Sequence, residues 1–257
     1  MTPFIKPAWE IFFLGSLFAL EGLFPLFSGR AERVSHGLRN AGLGLVNVLV
    51  THLFFAALVL KTAGWTARNH FGIIPDPGLP AGAQAALLLI LFDGWMYLWH
   101  RVNHKLPFLW RFHRVHHSDT AMDCTTALRF HAGEIVFSHL GRLLIIPLLG
   151  LDAAHLFIYE LALQPVILFH HSNLAVPEKW DSLLRLLVVS PNMHRVHHSR
   201  IADETNSNYS SIFSFWDRLG GSFRERKDIP AVQFGLSEFR EESWQTVRGM
   251  LKTPWFR

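Results

Sequence analysis

Cysteine is almost absent from this chain. A single one, Cys124, occurs in 257 residues, which excludes an internal disulfide framework and any cysteine-rich zinc site. Charge is scarce as well. Only 17% of residues are Asp, Glu, Lys or Arg, below the roughly 25% usual for soluble domains. The net charge of +4 is modest, and no basic array with interleaved aromatics is present, so nucleic acid is not an expected partner. The N-terminus lacks a basic segment followed by a small-residue cleavage site, so its apolar stretch reads as a retained span rather than a removed signal. There is no Gly-x-Gly-x-x-Gly fingerprint for a flavin or nicotinamide, no solenoid-length repeat and no low-complexity segment.

What the sequence has is apolar surface and histidine. Half the residues are hydrophobic. Five apolar stretches, at about 9–28, 42–60, 83–99, 135–151 and 153–169, are candidate membrane spans, several of them near the roughly 17-residue minimum for crossing the hydrocarbon core. That length argues against a soluble, very apolar helical protein. The expected fold is all-α: an integral membrane helical bundle of four to five spans with a cytoplasmic, histidine-rich helical cap. Residues 1–82 supply N-terminal spans and loops, 83–222 a catalytic core that includes the membrane hairpin 135–169, and 223–257 a C-terminal cytoplasmic tail.

Orientation follows from the basic residues. Arg30, Arg33 and Arg39 in 29–41, Arg101, Lys105, Arg111, Arg114 and Arg129 in 100–133, and the basic C-terminal region place those segments in the cytoplasm, and 61–82 outside, by the positive-inside tendency. The spans 135–151 and 153–169 form a tight hairpin around 150–152. Each arm rises about 25 Å, so the chain returns to the face it left. Polar residues inside the spans, among them Arg142 and Glu160, are costly in lipid and belong on the bundle interior. These two lie at similar distances from the hairpin tip and are expected to pair.

Sixteen histidines occur, clustered between His100 and His198. His100 and His104 sit one helical turn apart on one face. Asp93, two turns earlier, is positioned to accept the second N–H of a ligand ring, a common supporting role. His113, His116 and His117 form a second cluster and His194, His197 and His198 a third, both within the string His-Arg-Val-His-His. Adjacent histidines on a helix diverge by about 100°, so His116 and His117 are able to serve different metals. Eight histidines in three clusters exceed the need of one mononuclear site. His131 and His171, flanking the hairpin, raise the count to ten, or five per metal. His170 competes with its neighbour His171 for that place. His52, His70, His139 and His155 read as structural and His36 as a loop residue. Imidazole suits zinc, copper, iron and nickel alike.

At this point the chain resembles the fatty acid hydroxylase and sterol desaturase superfamily of membrane enzymes. The resemblance rests on Asp93, Tyr97, His100-Arg101 and His104, then Trp110-Arg-Phe-His113-Arg-Val-His116-His117-Ser118. It continues with Arg129-Phe-His131 and Glu134, Phe169-His-His171-Ser-Asn173, and Pro191-Asn-Met-His194-Arg-Val-His197-His198-Ser199. Asn208-Tyr209 and Trp216-Asp217-Arg218-Leu219 complete it. The chain departs from the family pattern at Ala132, Ser210 and Gly220-Gly221-Ser222, none of which removes a histidine. The resemblance implies two iron ions, with zinc a possible substitute in purified protein, held by His100, His104, His113, His116, His117, His131, His171, His194, His197 and His198. It favours His171 over His170 and makes Asp93, Glu134, Asn173, Asn208 and Asp217 candidates to support the ligands from behind. It further implies molecular oxygen as co-substrate, hydroxylation or desaturation of a sterol, fatty acyl or related lipid, and electrons from a separate reductase or small carrier. The membrane would be a bacterial inner membrane or the endoplasmic reticulum, with the metals at its cytoplasmic face. Trp95, Tyr97, Trp99, Trp110 and Phe112 are candidates to line an apolar substrate cavity. A metal-dependent lipid hydrolase is the rival reading, and a metal transporter or sensor a weaker one.

Overall fold

A computed structural model describes residues 5–73 and 78–256. The chain folds as α-helices, and its pairings outside them among the described residues are the isolated bridges Pro25–Leu174, Val188–Phe213 and Ser199–Phe234. The long helices are α1 (Ile5–Leu23), α2 (Arg33–Val50), α3 (Ala56–Asn69), α4 (Ala81–Lys105), α6 (Ala132–Leu149) and α7 (Ala153–His171). Shorter ones are α5 (Pro107–His117), α8 (Glu178–Leu184), α9 (Pro191–His197), α10 (Ala202–Thr205), α11 (Phe215–Leu219) and α12 (Val247–Lys252).

Among the described residues, four helical segments are long and apolar enough to cross a membrane: Arg33–Asn69, Ala81–Lys105, Ala132–Leu149 and Ala153–His171. Helix α1, with Lys6, Glu10 and Glu21, is not one of them. The second expected span is much longer than its apolar stretch. Helices α2 and α3 join through a π-helical turn, Thr51–Phe55, into 37 continuous residues. Arg33 and Arg39, expected in a loop, lie on this helix because their charges are met, by Glu21 and Glu242 respectively. Lys61 and Arg68, also assigned to a loop, continue the same helix.

The hairpin is as the sequence indicated. Gly150 closes α6 in the left-handed conformation, φ 87°, a geometry that favours glycine. Asp152 caps α7 through a reciprocal box with His155. Gly72, at φ 146°, packs so tightly on this tip that an added Cβ would stand 2.5 Å from the Gly150 Cα. Leu88 and Phe92 of α4, Ile146 and Leu149 of α6, and Tyr159 and Leu163 of α7 form the core between the spans. Leu45, Leu49, Leu53, Phe54, Leu144 and Ile158 stay exposed, as lipid-facing side chains should in a solvent as apolar as they are.

The polar interior is elsewhere. Helices α5 and α8–α12 cover one end of the spans, and buried Asp119, Arg129, Arg195, Asn208 and Asp217 lie there. Buried polar groups must be paired, and Arg129 bonds Val115 O, Ser118 Oγ and Gln245 Oε1. Gln245 in turn bonds Ser118 O. Residues after 222 therefore wrap back over the cap instead of trailing from it.

Candidate metal centre

Every histidine cluster sits where a span ends or a cap helix packs on it. His100 and His104 occupy the last two turns of α4. Pro107 opens α5, where its missing N–H costs nothing, and α5 carries His113, His116 and His117 back beneath them. His170 and His171 end α7. Ser190 caps α9 by accepting from Met193 N, and α9 with its cap residue presents His194, His197 and His198.

The rings gather into two groups, each with its ligand atoms within 4.8 Å of one another: His100, His104, His113, His117 and His197, and His116, His171, His194 and His198. Within the first, His113 Nε2 lies 3.1 Å from His100 Nε2 and 3.2 Å from His117 Nε2. Within the second, His171 Nε2 lies 3.1 Å from His116 Nε2 and 3.0 Å from His194 Nε2. Two nitrogens bound at right angles to one metal, each at about 2.1 Å, would stand about 3 Å apart.

The tautomers sharpen this. His100 Nδ1 faces Tyr209 O at 2.8 Å, and His113 Nδ1 faces Glu134 Oε1 at 2.8 Å. A carbonyl or carboxylate oxygen only accepts, so Nδ1 carries the proton in both rings and a neutral ring leaves Nε2 bare. Two bare lone pairs then face each other at 3.1 Å, which is repulsive unless a cation lies between them. His171 and His197 are fixed the same way, through Ile167 O and Ser207 O. His104 Nδ1 and Nε2, His197 Nε2 and His198 Nε2 are buried with no hydrogen-bond partner among the described residues, a costly state for a polar atom unless its lone pair serves a metal ion. Burial first, and neighbouring rings second, push His116, His117, His194 and His198 well below the ordinary histidine range. Burial holds His197 down at about 3, although the Ser207 carbonyl works the other way. These rings are neutral at physiological pH, the form that binds metal.

Three expectations change. His131 is not in either group: its Nδ1 accepts from Gly133 N to cap α6, and its Nε2 faces Leu251 O. Its place just before a helix start makes it a cap, which spacing alone did not reveal. Asp93 does not orient a ring. It accepts from Tyr159 Oη, Ile212 N and Phe213 N, so its carboxylate is taken up by α7 and the segment after Tyr209. His36 is not a loop residue but sits on α2 between Asp119 and Asp123. Of the other supporting candidates, Glu134 alone contacts a ligand ring. Asn173 binds Phe27 N and O, Asn208 ties Met193 O to Arg224, and Asp217 accepts from Tyr209 N, Ser210 N and Ser222 Oγ. Asn173 thereby ties the segment after α1 to the end of α7, whereas Asn208 and Asp217 fix the loop that supplies the Tyr209 and Ser207 carbonyls. Those ring-orienting groups are backbone atoms and left no trace in the sequence. His170 packs against His194 with centroids 4.0 Å apart and the ring planes tilted by 39°, outside both groups.

A cavity of about 600 Å³ opens from the rings into the bundle. His100, His113, His116, His171 and His194 line one end, and Met96, Ile135 and Ile167 its walls. Trp99 borders it; Trp95, Tyr97, Trp110 and Phe112 do not. Tyr97 instead bonds Ser222 and Arg101, and Trp110 packs beside His104 and His117.

Comparison with known proteins agrees with this geometry. Residues 85–222, more than half of the chain, match the fatty acid hydroxylase family. The chain is 29% identical over 203 residues to ornithine lipid hydroxylase OlsE of Rhizobium tropici, covering 78% of this chain and 59% of that one. It is 29% identical over 244 residues to alkylglycerol monooxygenase of Homo sapiens, covering 91% and 50%. It is 27% identical over 144 residues to cholesterol 25-hydroxylase of Homo sapiens, covering 56% and 52%. The chain thus spans about half the length of these curated relatives. No solved structure matches it.

Proposed function

The chain belongs to the fatty acid hydroxylase family, and on that footing we propose that it is a membrane-bound, oxygen-dependent oxidoreductase that hydroxylates or desaturates a lipid at a di-iron centre. The observation that carries this reading is the convergence of nine imidazoles into groups of five and four at the head of an apolar cavity. The first group, His100, His104, His113, His117 and His197, would hold one iron, and His116, His171, His194 and His198 the other. Zinc has no redox chemistry, and the relatives are named as hydroxylases and monooxygenases, so iron fits and zinc would be a substitute acquired in purification.

When bound, the two irons supply the redox chemistry of oxygen activation, with electrons from a separate reductase or small carrier. The protein's own work is positional. Glu134 and the carbonyls of Tyr209, Ile167 and Ser207 hold four rings in fixed tautomers. Burial of the rings keeps water from the reacting carbon. The cavity walls hold an aliphatic chain against that end, so that one C–H bond is presented repeatedly to the same place.

A hydrolase would need no oxygen. A transporter would carry its ligands near the bilayer midplane, whereas these lie at the ends of the spans. The basic residues Arg101, Lys105, Arg111 and Arg114 around that end favour a cytoplasmic cap. The deciding experiment is lipidomics of cells with and without the protein, grown in isotopically labelled oxygen, together with metal analysis of the purified chain. A lipid product with one labelled oxygen atom, or one new double bond formed only in oxygen, is expected. Purified protein without a transition metal, or a product formed without oxygen, would overturn the reading.

A further inference from the structure

The metal-lined end is only half of the cavity. At its other end lie Lys6 and Glu10 of α1, Thr51 of the π turn, Arg142 of α6 and Gln164 of α7. Glu160 of α7 ties this group together. Its Oε2 is 2.5 Å from Lys6 Nζ and its Oε1 is 3.4 Å from Arg142 Nη1, which realises the pairing expected across the hairpin. The group is far from the rings. Arg142 lies ten residues beyond the start of α6 and Glu160 eleven before His171, about 15 Å in each case at 1.5 Å per residue.

Arg142 is not spent on this contact. A guanidinium built only as a counter-ion forks onto its carboxylate with two short parallel bonds. Here one N–H reaches Glu160 at 3.4 Å, another points to Met96 Sδ at 3.9 Å, and Nε is buried with no partner among the described residues. Five donors are available, and most of them remain unused at the wall of a cavity inside the bundle. Lys6 and Arg142 are matched in number by Glu160 and by Glu10, 3.8 Å from Lys6, so the group carries no surplus charge, and what it offers a ligand is the unused guanidinium donors. An ionisable side chain at this depth is costly in lipid, and unused donors there call for an acceptor.

The geometry points to Arg142 as the recognition residue for the polar end of the lipid substrate. An acceptor oxygen, that of a carboxylate or a hydroxyl, docks on the Arg142–Glu160–Lys6 group, and the carbon to be oxidised lies about 15 Å away along the chain. The substrate class is thereby narrowed to single-chain lipids or chains with an oxygen function at that distance from the reacting carbon, and plain hydrocarbons are disfavoured. This rests on the oxygenase reading for the identity of the far end, but not for the docking itself.

The test uses the full-length, metal-loaded protein in nanodiscs and three probes of equal length: an alkyl carboxylate, an alkyl alcohol and an alkane. The oxygenated probes should bind at least about tenfold more tightly than the alkane, the equivalent of one good charge-assisted hydrogen bond. Arg142→Met should abolish that preference and Arg142→Lys retain part of it. A carboxylate probe with a photoreactive group beside its carboxyl should label residues 6–10 and 138–164 in the unaltered protein, which decides the orientation even if a variant fails to fold. Equal binding of the three probes, a preference that survives Arg142→Met, or labelling at 100–116 would overturn the proposal. Docking with the correct label but no oxygen consumption on any lipid would instead sink the oxygenase reading and leave this site standing.

Discussion

His116 and His117 are neighbours in the chain, yet their rings stand at 90° to each other and face different metal groups. His197 and His198, at 85°, divide in the same way. A helical turn that diverges by about 100° per residue thus lets each doubled histidine stitch two sites together, and α5 and α9 jointly wall both.

That division predicts separable metal losses. His117→Ala should empty the five-ring group and leave the other, and His116→Ala the reverse. Metal content should fall from about two per chain toward about one in each variant, read by elemental analysis. Oxygenase activity should fall by at least about a hundredfold in both, since removing a member of a unit that acts together costs nearly as much as removing the whole. Loss of both metals from a single substitution would show that the groups bind cooperatively rather than separately.

Glu134 tests the layer behind the rings. Its carboxylate fixes the His113 tautomer at 2.8 Å, and such supporting groups typically carry about 10–100-fold in metal affinity or activity. Glu134→Gln keeps an acceptor oxygen but loses the charge. It should weaken metal retention against a chelator by about tenfold, with the melting temperature nearly unchanged. Unaltered retention would assign Glu134 to packing at the start of α6.

How much of this was legible in the sequence depends on which atoms do the work. The hairpin was readable because Gly150 and Asp152 are side-chain signals of helix ends. The gathering of the histidine clusters was readable because i, i+3 and i+4 spacing fixes a helix face, and the split of His116 and His117 between the two groups followed directly. His131 was misread because a histidine that precedes a helix and one that ligates a metal have the same local spacing. The Tyr209, Ile167 and Ser207 carbonyls were invisible because every residue has one. The length of the second span was underestimated because Arg33 and Arg39 look like loop charges until Glu21 and Glu242, distant in sequence, are brought to them.

The seat of α9 should show a modest acid and salt sensitivity. Hydrogen bonding from Arg185 first, and from Asn192 also, holds Glu178 below the usual carboxylate range against a smaller opposing effect of burial. Arg185 also bonds buried Asp181, which accepts from Ser190 Oγ and Asn192 N at the start of α9. A carboxyl depressed in the folded state contributes stability that is present above its unfolded pKa of about 4.3 and is lost as the pH falls through its lower folded value. Glu178→Gln should therefore cost a little stability at neutral pH, with the difference from the unaltered protein closing below about pH 4. Because this glutamate is largely exposed, salt should shrink the difference at neutral pH. Unfolding curves across pH and salt check both, and a gap that widens on acidification would refute the assignment.

Asp93 supplies the sharpest separation between a supporting role at the metals and a structural one. Its Oδ1 accepts from Tyr159 Oη at 2.7 Å and Ile212 N at 3.2 Å, and its Oδ2 from Phe213 N at 3.0 Å. Three donors converge on one buried carboxylate, which pins the segment after Tyr209 to α4 and α7. In Asp93→Asn the amide nitrogen must face at least one of those donors, leaving a buried N–H unsatisfied at a cost of about 1–3 kcal/mol. The melting temperature should drop while both metals are retained by the purified variant. Tyr159→Phe, which removes one donor and leaves the carboxylate its two backbone partners, should be milder. If Asp93 instead supported a ligand ring, the order would invert: metal affinity would fall by about 10–100-fold and Tyr159→Phe would have no counterpart effect. Parallel measurement of metal content and thermal stability on the two variants distinguishes these outcomes.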